Sequence, residues 1–196
     1  VAVTGSERGG DAMCDVIAEL VNSMVNKCGI SKDDISIGVG CPGVIDSEDG
    51  VLVFSGNLNL RDFPLAQKVE ERVGVPVKIT NDANAAALGE AKFGAGKDYK
   101  NSILVTLGTG VGGGIIIDGK LFEGYKSAGA EIGHMVIERH GDVCTCGRRG
   151  CFEAYCSATA LVRRTRRQME DNPRSAMWTK YTSDTANGKT AFDFYH

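Results

Sequence analysis

The sequence predicts an α/β fold made of two lobes. Short runs rich in β-branched residues, such as residues 35–39 and Ser102–Leu107, alternate with longer segments that carry apolar residues at three- and four-residue steps. Strands that alternate with helices are typical of α/β domains. Because the composition shifts near residues 94–100, we expect one lobe over residues 1–96 and a second over residues 97–196.

The first lobe is predicted to open with a long helix that starts near Gly9 or Gly10. Its apolar positions recur with helical spacing, and Gly29 is a natural C-terminal cap. The repeating apolar positions are Met13, Ile17, Leu20 and Met24. Further helices are expected at Leu65–Val73 and residues 81–94, and strands at residues 35–39, 51–54 and 77–80.

The second lobe is predicted to open with a strand, a glycine run and a hairpin. Asp118-Gly119 is a dipeptide that favours a tight two-residue turn between strands. The expected elements are a strand at Ser102–Leu107, a glycine run at residues 108–114, strands at residues 115–117 and 120–122, and one helix at residues 153–169. Beyond Asp171 the chain is polar and no regular element is predicted.

The charge balance argues against two classes of partner. The chain has 196 residues with 22 basic and 25 acidic side chains, a formal net charge of −3. Binders of nucleic acid or of acidic membranes present a basic footprint, so we expect neither partner. No apolar run approaches the roughly 20 residues of a membrane helix, and the start VAVTGSERGG does not resemble a signal peptide. A cytoplasmic location is expected.

A cluster of cysteines predicts a metal site. Cys144, Cys146 and Cys151 lie within eight positions, and His134 precedes them. Three thiolates and one imidazole form a closed tetrahedral set, which suits a structural zinc ion because no position is left for water. His140 is an alternative fourth ligand, and reduced cysteines without metal are the other interpretation. The remaining cysteines are predicted to be small buried apolar side chains: Cys14, Cys28, Cys41 and Cys156.

A glycine-rich turn is a candidate phosphate site. Glycines leave backbone N–H groups open to an anion, and Thr109 adds a hydroxyl. The glycines are Gly108, Gly110, Gly112, Gly113 and Gly114. No Lys-Ser/Thr pair follows, as a Walker A loop requires, and no helix follows, as a dinucleotide fingerprint requires. The alternative is a tight hairpin with closely packed backbones and no ligand.

Several carboxylates are candidates for chemistry. Asp82 lies where an apolar strand gives way to a helix, and ligands in α/β folds bind beyond the carboxyl ends of strands. The alternative role of Asp82 is to cap that helix. Glu131 and His134 are three residues apart and converge if the segment turns, while Glu153 follows the cysteine cluster. A run of arginines is expected to form an exposed helix face or an anion or interface site: Arg163, Arg164, Arg166 and Arg167.

Five motifs, in this order, resemble the ROK family of sugar kinases and repressors: GVGCPG, NDANAAALGE, LGTGVGGG, GAEIGH and CTCGRRGCFE. The resemblance covers nearly the whole chain. The text from SATAL to GKTAFD is similar to family members of Gram-positive bacteria that phosphorylate glucose. The resemblance implies the actin-like ATPase fold, related to ribonuclease H, with two α/β lobes and an active site in the cleft between them.

The resemblance also implies an activity and a set of site residues. The implied reaction is phosphorylation of glucose at the 6-hydroxyl, with ATP and magnesium as co-substrate, a structural zinc ion and a homodimeric protein. Asp82 matches the catalytic base. The matches to the sugar-binding residues are Gly43, Asn81, Asp82, Glu131, His134 and Glu153, and the phosphates would be lined by Gly108, Thr109, Gly110, Gly112, Gly113 and Gly114. His134 would bind zinc through one ring nitrogen and sugar through the other.

The chain also departs from the family pattern. It begins after the first strand and phosphate loop of the family and ends before the helices over the adenosine, so we expect weak ATP binding and low kinase activity of this chain. Ala130 stands where the family commonly has glycine. Three alternatives stay open: a kinase for another hexose or N-acetylhexosamine, a sugar-sensing ROK repressor, and a zinc-stabilised binding module without catalysis.

Overall fold

The computed structural model describes residues 2–182 and residue 185. Residues 188–193, which carry the GKTAFD part of the resemblance, lie outside the described residues. The chain divides into two compact units that alternate along the sequence. Unit 1 holds residues up to Leu104 together with Gly114–Gly129, and unit 2 holds Val105–Gly113 and the residues from Ala130 onward. The boundary between residues 96 and 97 stays a prediction.

Unit 1 begins with the predicted long helix. Helix α1 spans Gly10–Cys28 and ends at Gly29, which adopts the left-handed conformation with φ 64°. Met13, Cys14 and Ala18 are buried along one face of this helix. The local signals of apolar spacing and a terminal glycine were therefore sufficient to predict its position.

A parallel strand pair forms the centre of unit 1. Strand β1 (Ile37–Cys41) pairs with β5 (Val77–Asn81), and the register puts Cys41 opposite Asn81. Both strands therefore end at the same level. Helix α2 (Leu65–Val73) precedes β5, and helix α3 (Asp82–Phe93) begins directly at its end. The segments after the two strands, at Gly43 and Asp82, thus lie at the same edge of the sheet.

An antiparallel sheet of three short strands inserts between β1 and α2. It consists of β2 (Val44–Asp46), β3 (Val51–Ser55) and β4 (Leu60–Phe63), in the order β2-β3-β4. Only β3 was predicted. The other two are short and carry charged residues, such as Asp46 and Arg61, so their alternation is too brief to indicate a strand without the partner.

The core of unit 1 is one continuous apolar cluster of α1, α2 and the strands. Its most deeply buried side chains, each at 1% exposure or less, are Cys14, Ile45, Leu52, Leu65, Val69 and Val73. Val77 and Ile79 alternate into this core from β5, while Lys78 is exposed. The strand thus buries one face here, and its end carries Asn81 out to the edge.

A second three-stranded sheet has the order β6-β7-β8. Strands β6 (Ser102–Leu107) and β7 (Val111–Ile117) each contribute residues to both units, and β8 is Lys120–Leu121. Asp118 and Gly119 both have positive φ, 50° and 75°, as expected for the predicted tight turn. One prediction was wrong: Gly112, Gly113 and Gly114 lie within β7 and not before it.

Unit 2 contains two helices where one was predicted. Helix α4 is short (Glu153–Cys156), and helix α5 spans Ala158–Asp171. Ser157 interrupts them because its backbone is extended (φ −75°, ψ 159°) and its hydroxyl caps α5 by accepting from the Ala160 N–H. The apolar clusters of this unit are small. One joins Met169, Met177 and Tyr181.

Among the described residues, none of the helices combines the length and the apolar character that a membrane span needs.

Candidate functional site

Asn81, and not Asp82, caps helix α3. The Asn81 side-chain oxygen accepts from the backbone N–H groups of Ala83 (2.9 Å) and Asn84 (3.2 Å). Asp82 is the first residue of the helix and is exposed. Its carboxylate accepts only the adjacent N–H of Ala83, at 3.0 Å, among the hydrogen bonds of the described residues. The carboxylate thus stays accessible to a ligand, and the capping interpretation of Asp82 was wrong.

Gly43 and Asn81 are joined directly. The Asn81 amide nitrogen donates to the Gly43 carbonyl oxygen at 3.1 Å. Gly43 has φ 121°, and a Cβ at this position would collide with the carbonyl oxygen of Phe54. Only glycine fits this backbone without strain. The structure therefore brings together two of the predicted sugar-binding residues with Asp82 beside them.

The scattered cysteines are not uniform. Cys14 and Cys41 are buried as predicted, but Cys28 and Cys156 are exposed, so the prediction was wrong for those two. Burial, with a smaller contribution from the negative charge of Asp82, raises the pKa of the Cys41 thiol to about 11. Cys41 is thus a neutral packing side chain at neutral pH, which fits its place at the end of β1.

Four side chains of unit 2 converge as metal ligands would. One ligand atom from each of His134, Cys144, Cys146 and Cys151 lies within 4.8 Å of the others. The Cys146 and Cys151 sulfur atoms are 3.7 Å apart, and the Cys144 sulfur lies 3.6 Å from His134 Nδ1. Zinc–ligand bonds of about 2.0–2.3 Å at tetrahedral angles place neighbouring ligand atoms, along the edges of the tetrahedron, about 3.3–3.8 Å apart. The donor set and these two edges fit a zinc ion.

His134 is the histidine of this cluster. His140 does not belong to the converging group of the described residues and is exposed. Since Nδ1 of His134 faces Cys144, the other ring nitrogen, Nε2, remains for another partner. This arrangement agrees with a histidine that has two roles.

The loop of residues 144–151, here called the metal loop, is shaped by backbone contacts. The Cys144 N–H donates to the Arg148 carbonyl at 2.8 Å, and Gly147 turns the chain with φ 85°. At Gly150 (φ 77°) a Cβ would collide with the carbonyl of Glu138, so the glycine is required for close approach. These turns bring Cys151 back to Cys146, with 3.7 Å between the two sulfur atoms.

The thiols of the metal loop differ in acidity. Hydrogen bonding by the Arg148 backbone N–H lowers the pKa of Cys146 to about 6. Burial raises the pKa of Cys151 to about 11. A bound cation would favour the thiolate form of both, as metal ligation requires.

Glu153 is held from two sides. Its Oε2 accepts from the Val111 N–H at 3.0 Å, and its Oε1 accepts from the Thr145 hydroxyl at 3.1 Å. Cys144 lies 3.7 Å from the same Oε1. No sequence signal indicates Val111, because its contribution is a backbone group. Thr145 had one signal only, its place between two predicted ligands.

The segment from Glu131 to His134 turns, which is the condition for their side chains to converge; the convergence itself stays a prediction. Residues Ile132–His134 form a 3₁₀ turn in which the His134 N–H donates to the Glu131 carbonyl at 3.0 Å. Glu131 is exposed, and Ala130 before it has φ 60°. Gly133 packs against the backbone of Val111, where a Cβ would collide with the carbonyl oxygen.

Close packing against neighbouring atoms explains why several positions of the glycine turn are glycine. A Cβ at Gly110 would lie 2.5 Å from Glu153 Oε2, and one at Gly113 would lie 2.8 Å from the Ala130 carbonyl. At Gly114 a Cβ would collide with Ala87 of helix α3. Gly108, by contrast, has nothing within 4 Å of such a Cβ. The interpretation of close backbone packing therefore holds for part of the run, and phosphate binding stays a prediction.

A large open cavity in unit 2 adjoins Thr109. Its volume is about 790 Å³, and the start and one face of α5 line it, including Thr159, Arg163, Arg166 and Arg167. Thr159 donates to the Thr109 carbonyl at 2.8 Å, which ties α5 to the glycine turn. Arg163 pairs with Asp142, at 3.0 Å. Several of the predicted arginines thus line a cavity beside the glycine turn.

The fold and these motifs define the class of protein. Residues 3–193 match the ROK family, and the chain belongs to it. Its fold is the actin-like ATPase fold of the ROK sugar kinases.

The individual similarities span kinases and a repressor. The chain is 42% identical over 162 residues to a glucokinase of Streptomyces coelicolor, covering 83% of this chain and 51% of the relative. It is 41% identical over 150 residues to the xylose repressor of Bacillus subtilis, covering 76% and 39%. A ROK family glucokinase from Streptomyces griseus, solved in complex with glucose and AMPPNP, matches with a TM-score of 0.74 and 39% identity, covering 90% of this chain and 58% of that one. The chain thus spans about half the length of the glucokinase relative.

Proposed function

We propose that the protein phosphorylates glucose at its 6-hydroxyl with ATP as the phosphoryl donor. The observation that carries the proposal is the exposed carboxylate of Asp82 at the start of α3, where Asn81 supplies the cap. In this role Asp82 accepts the proton of the 6-hydroxyl as that oxygen attacks the γ-phosphorus. The identity to glucokinases, and the relative solved with glucose and AMPPNP, support glucose as the substrate.

The remaining site residues take roles in binding. Gly43 and Asn81 hold the sugar next to Asp82. Glu131, His134 and Glu153 hydrogen-bond its hydroxyl groups, His134 through Nε2. The phosphates meet the glycine turn, Gly108, Thr109, Gly110, Gly112, Gly113 and Gly114, and magnesium neutralises their charge. The arginine-lined cavity beside Thr109 supports a place for the rest of the nucleotide.

The proposed metal is a structural zinc ion held by His134, Cys144, Cys146 and Cys151. When bound, the zinc ion would crosslink the metal loop. Two of its ligands, Cys144 and Cys151, form an apolar cluster with Ala154 that is small, so the loop has little other packing to hold its shape. The loop then fixes the position of Glu153, which follows Cys151 by two residues.

The experiment is an Asp82→Asn substitution with Asp98→Asn as the matched control. Asp98 is an exposed aspartate of the same unit, outside the site. We expect Asp82→Asn to lower kcat at least about 100-fold while glucose still binds within a few-fold of the unchanged affinity. Formation of ADP with a panel of hexoses and N-acetylhexosamines, together with calorimetric binding, measures both. Unchanged turnover in Asp82→Asn would remove Asp82 from the role of base.

The identity to a xylose repressor favours one second candidate, a sugar sensor without turnover. A sensor would bind a sugar and form no ADP with any member of the panel. The chain would then respond to the sugar through stability alone: a ligand at 100 times its Kd stabilises the folded state by about 2.7 kcal/mol. ADP formation that depends on Asp82 would rule the sensor out.

A further inference from the structure

We infer that Thr145 is a positioning residue for Glu153. Its hydroxyl fixes the carboxylate between the metal loop and the glycine turn and thereby sets the affinity for sugar. The part of the inference that concerns sugar rests on the proposed function.

The two carboxylate oxygens of Glu153 have different partners on different segments. Oε2 accepts from the Val111 N–H of β7 at 3.0 Å, and Oε1 accepts from the Thr145 hydroxyl at 3.1 Å. A glutamate that is free to rotate loses side-chain entropy when a ligand fixes it. Two anchors remove that loss in advance, because the carboxylate already has one orientation.

The anchored carboxylate still has capacity for a ligand. An ionised carboxylate offers about four lone-pair positions, and the two anchors use one on each oxygen. Because Gly110 has no side chain, the space beside Oε2 stays open; a Cβ at Gly110 would lie 2.5 Å from this oxygen. Sugar hydroxyl groups can therefore donate to both oxygens of Glu153 without displacing either anchor.

Thr145 is the anchor that survives metal binding. The sulfur of Cys144, one of the proposed zinc ligands, also lies 3.7 Å from Oε1. A cysteine that binds zinc does so as thiolate and has no proton to donate. Among the described contacts of Oε1, the Thr145 hydroxyl is then the remaining donor.

Loss of this hydroxyl has a local effect. Thr145 is exposed and is not a member of either apolar cluster of unit 2. Its hydroxyl oxygen also lies 3.9 Å from the sulfur of Cys144, a proposed metal ligand and a member of one of these clusters. Zinc content is therefore measured together with sugar binding. Thr145→Val keeps the shape and removes the donor, whereas Thr145→Ser keeps the donor. Thr179→Val is the matched control, because Thr179 is an exposed threonine of the same unit whose hydroxyl donates to the Ala176 carbonyl.

The test compares these variants by calorimetric glucose binding and by zinc content. We expect glucose to bind Thr145→Val about ten-fold more weakly, as for loss of one hydrogen bond to a charged group. Thr145→Ser should bind glucose with an affinity within about two-fold of that of the unchanged protein. Thr179→Val should bind glucose as tightly as the unchanged protein. The zinc content should be equal in all four proteins. Unchanged affinity in Thr145→Val overturns the inference, and so does loss of zinc from it, because Thr145 would then act on the metal loop.

A second measurement separates this inference from the proposed function. The Val111 amide donates to Glu153, so its hydrogen exchange, followed by NMR, reports whether the carboxylate stays anchored without any sugar. Faster exchange in Thr145→Val than in Thr145→Ser supports the positioning role, and equal exchange overturns it. If the unchanged protein binds no hexose, the proposed function fails, while this measurement still decides the role of Thr145.

Discussion

The side-chain amide of Asn81 donates to the Gly43 carbonyl at 3.1 Å, while the oxygen of the same amide caps helix α3. One side chain thus joins the loop after β1 to the helix that begins with Asp82. Because β1 and β5 end in register at Cys41 and Asn81, the two segments are neighbours before this bond forms. The sheet brings them near, and the amide fixes their spacing.

Asn81→Ala should lower the free energy of unfolding by about 2 kcal/mol. About half comes from the lost helix cap and about half from the lost hydrogen bond to Gly43. Asn81→Asp is the matched variant, because it keeps the capping oxygen and loses only the donor, so an intermediate loss is expected. Urea unfolding followed by circular dichroism measures both. Equal stability of all three proteins would show that the Asn81 contacts contribute nothing.

Ala130→Gly should raise the free energy of unfolding by about 0.5–1 kcal/mol. Ala130 has φ 60°, and the left-handed region costs a residue with a Cβ about 1–2 kcal/mol, more than the added freedom of glycine in the unfolded chain. The control is Ala128→Gly at φ −96°, where the same change should destabilise. Thermal unfolding of both variants checks the opposite signs. Two shifts in the same direction would contradict the strain at Ala130.

Cys146→Ser should reduce bound zinc well below one ion per chain. The Cys146 sulfur faces Cys151 at 3.7 Å within the proposed ligand set. Cys156→Ser is the control, since Cys156 is an exposed cysteine of the same unit outside that set. Elemental analysis of the purified proteins gives the metal content. Equal zinc in Cys146→Ser and the unchanged protein would exclude this thiol as a ligand.

Metal removal should lower the melting temperature of the unchanged protein. The apolar cluster of Cys144, Cys151 and Ala154 is small, so a metal crosslink is expected to add to the stability of the metal loop. A zinc chelator added to the unchanged protein should therefore lower Tm by several degrees, and added zinc should restore it. The chelator should leave the melting temperature of Cys146→Ser unchanged. A chelator effect of equal size on that variant would mean that the metal acts elsewhere.

Gly114→Ala should lower the free energy of unfolding by about 1–3 kcal/mol, the usual cost of overpacking. The added methyl group would collide with Ala87 and lie 3.0 Å from the Ala83 carbonyl, and helix backbone does not yield. Gly89→Ala is the control, because nothing lies within 4 Å of its Cβ on the exposed face of α3. That change should stabilise the helix by up to about 1 kcal/mol. Chemical unfolding of both variants tests the difference.

Local signals predicted most of the elements and failed at particular places. Helix α2 has the predicted bounds, and the turn at Asp118 and Gly119 has the predicted positive φ angles. Ser157 was missed as a helix break, although serine is a preferred residue at the N-cap of a helix. Strands β2 and β4 had no such signal, because strand pairing depends on a partner distant in sequence.

The sequence by itself determined the family motifs, the metal ligand candidates (three cysteines with His134 or His140) and the residues available for sugar binding. Residue types and spacing carry this information because chemistry restricts which side chains can bind a metal or accept a proton. Only the tertiary structure decided that His134 and not His140 joins the cysteines, that Asn81 frees Asp82 from capping, and that Thr145 and Val111 hold Glu153. Those contacts join atoms that are far apart along the chain or belong to the backbone, and a pattern of side chains does not encode their distances.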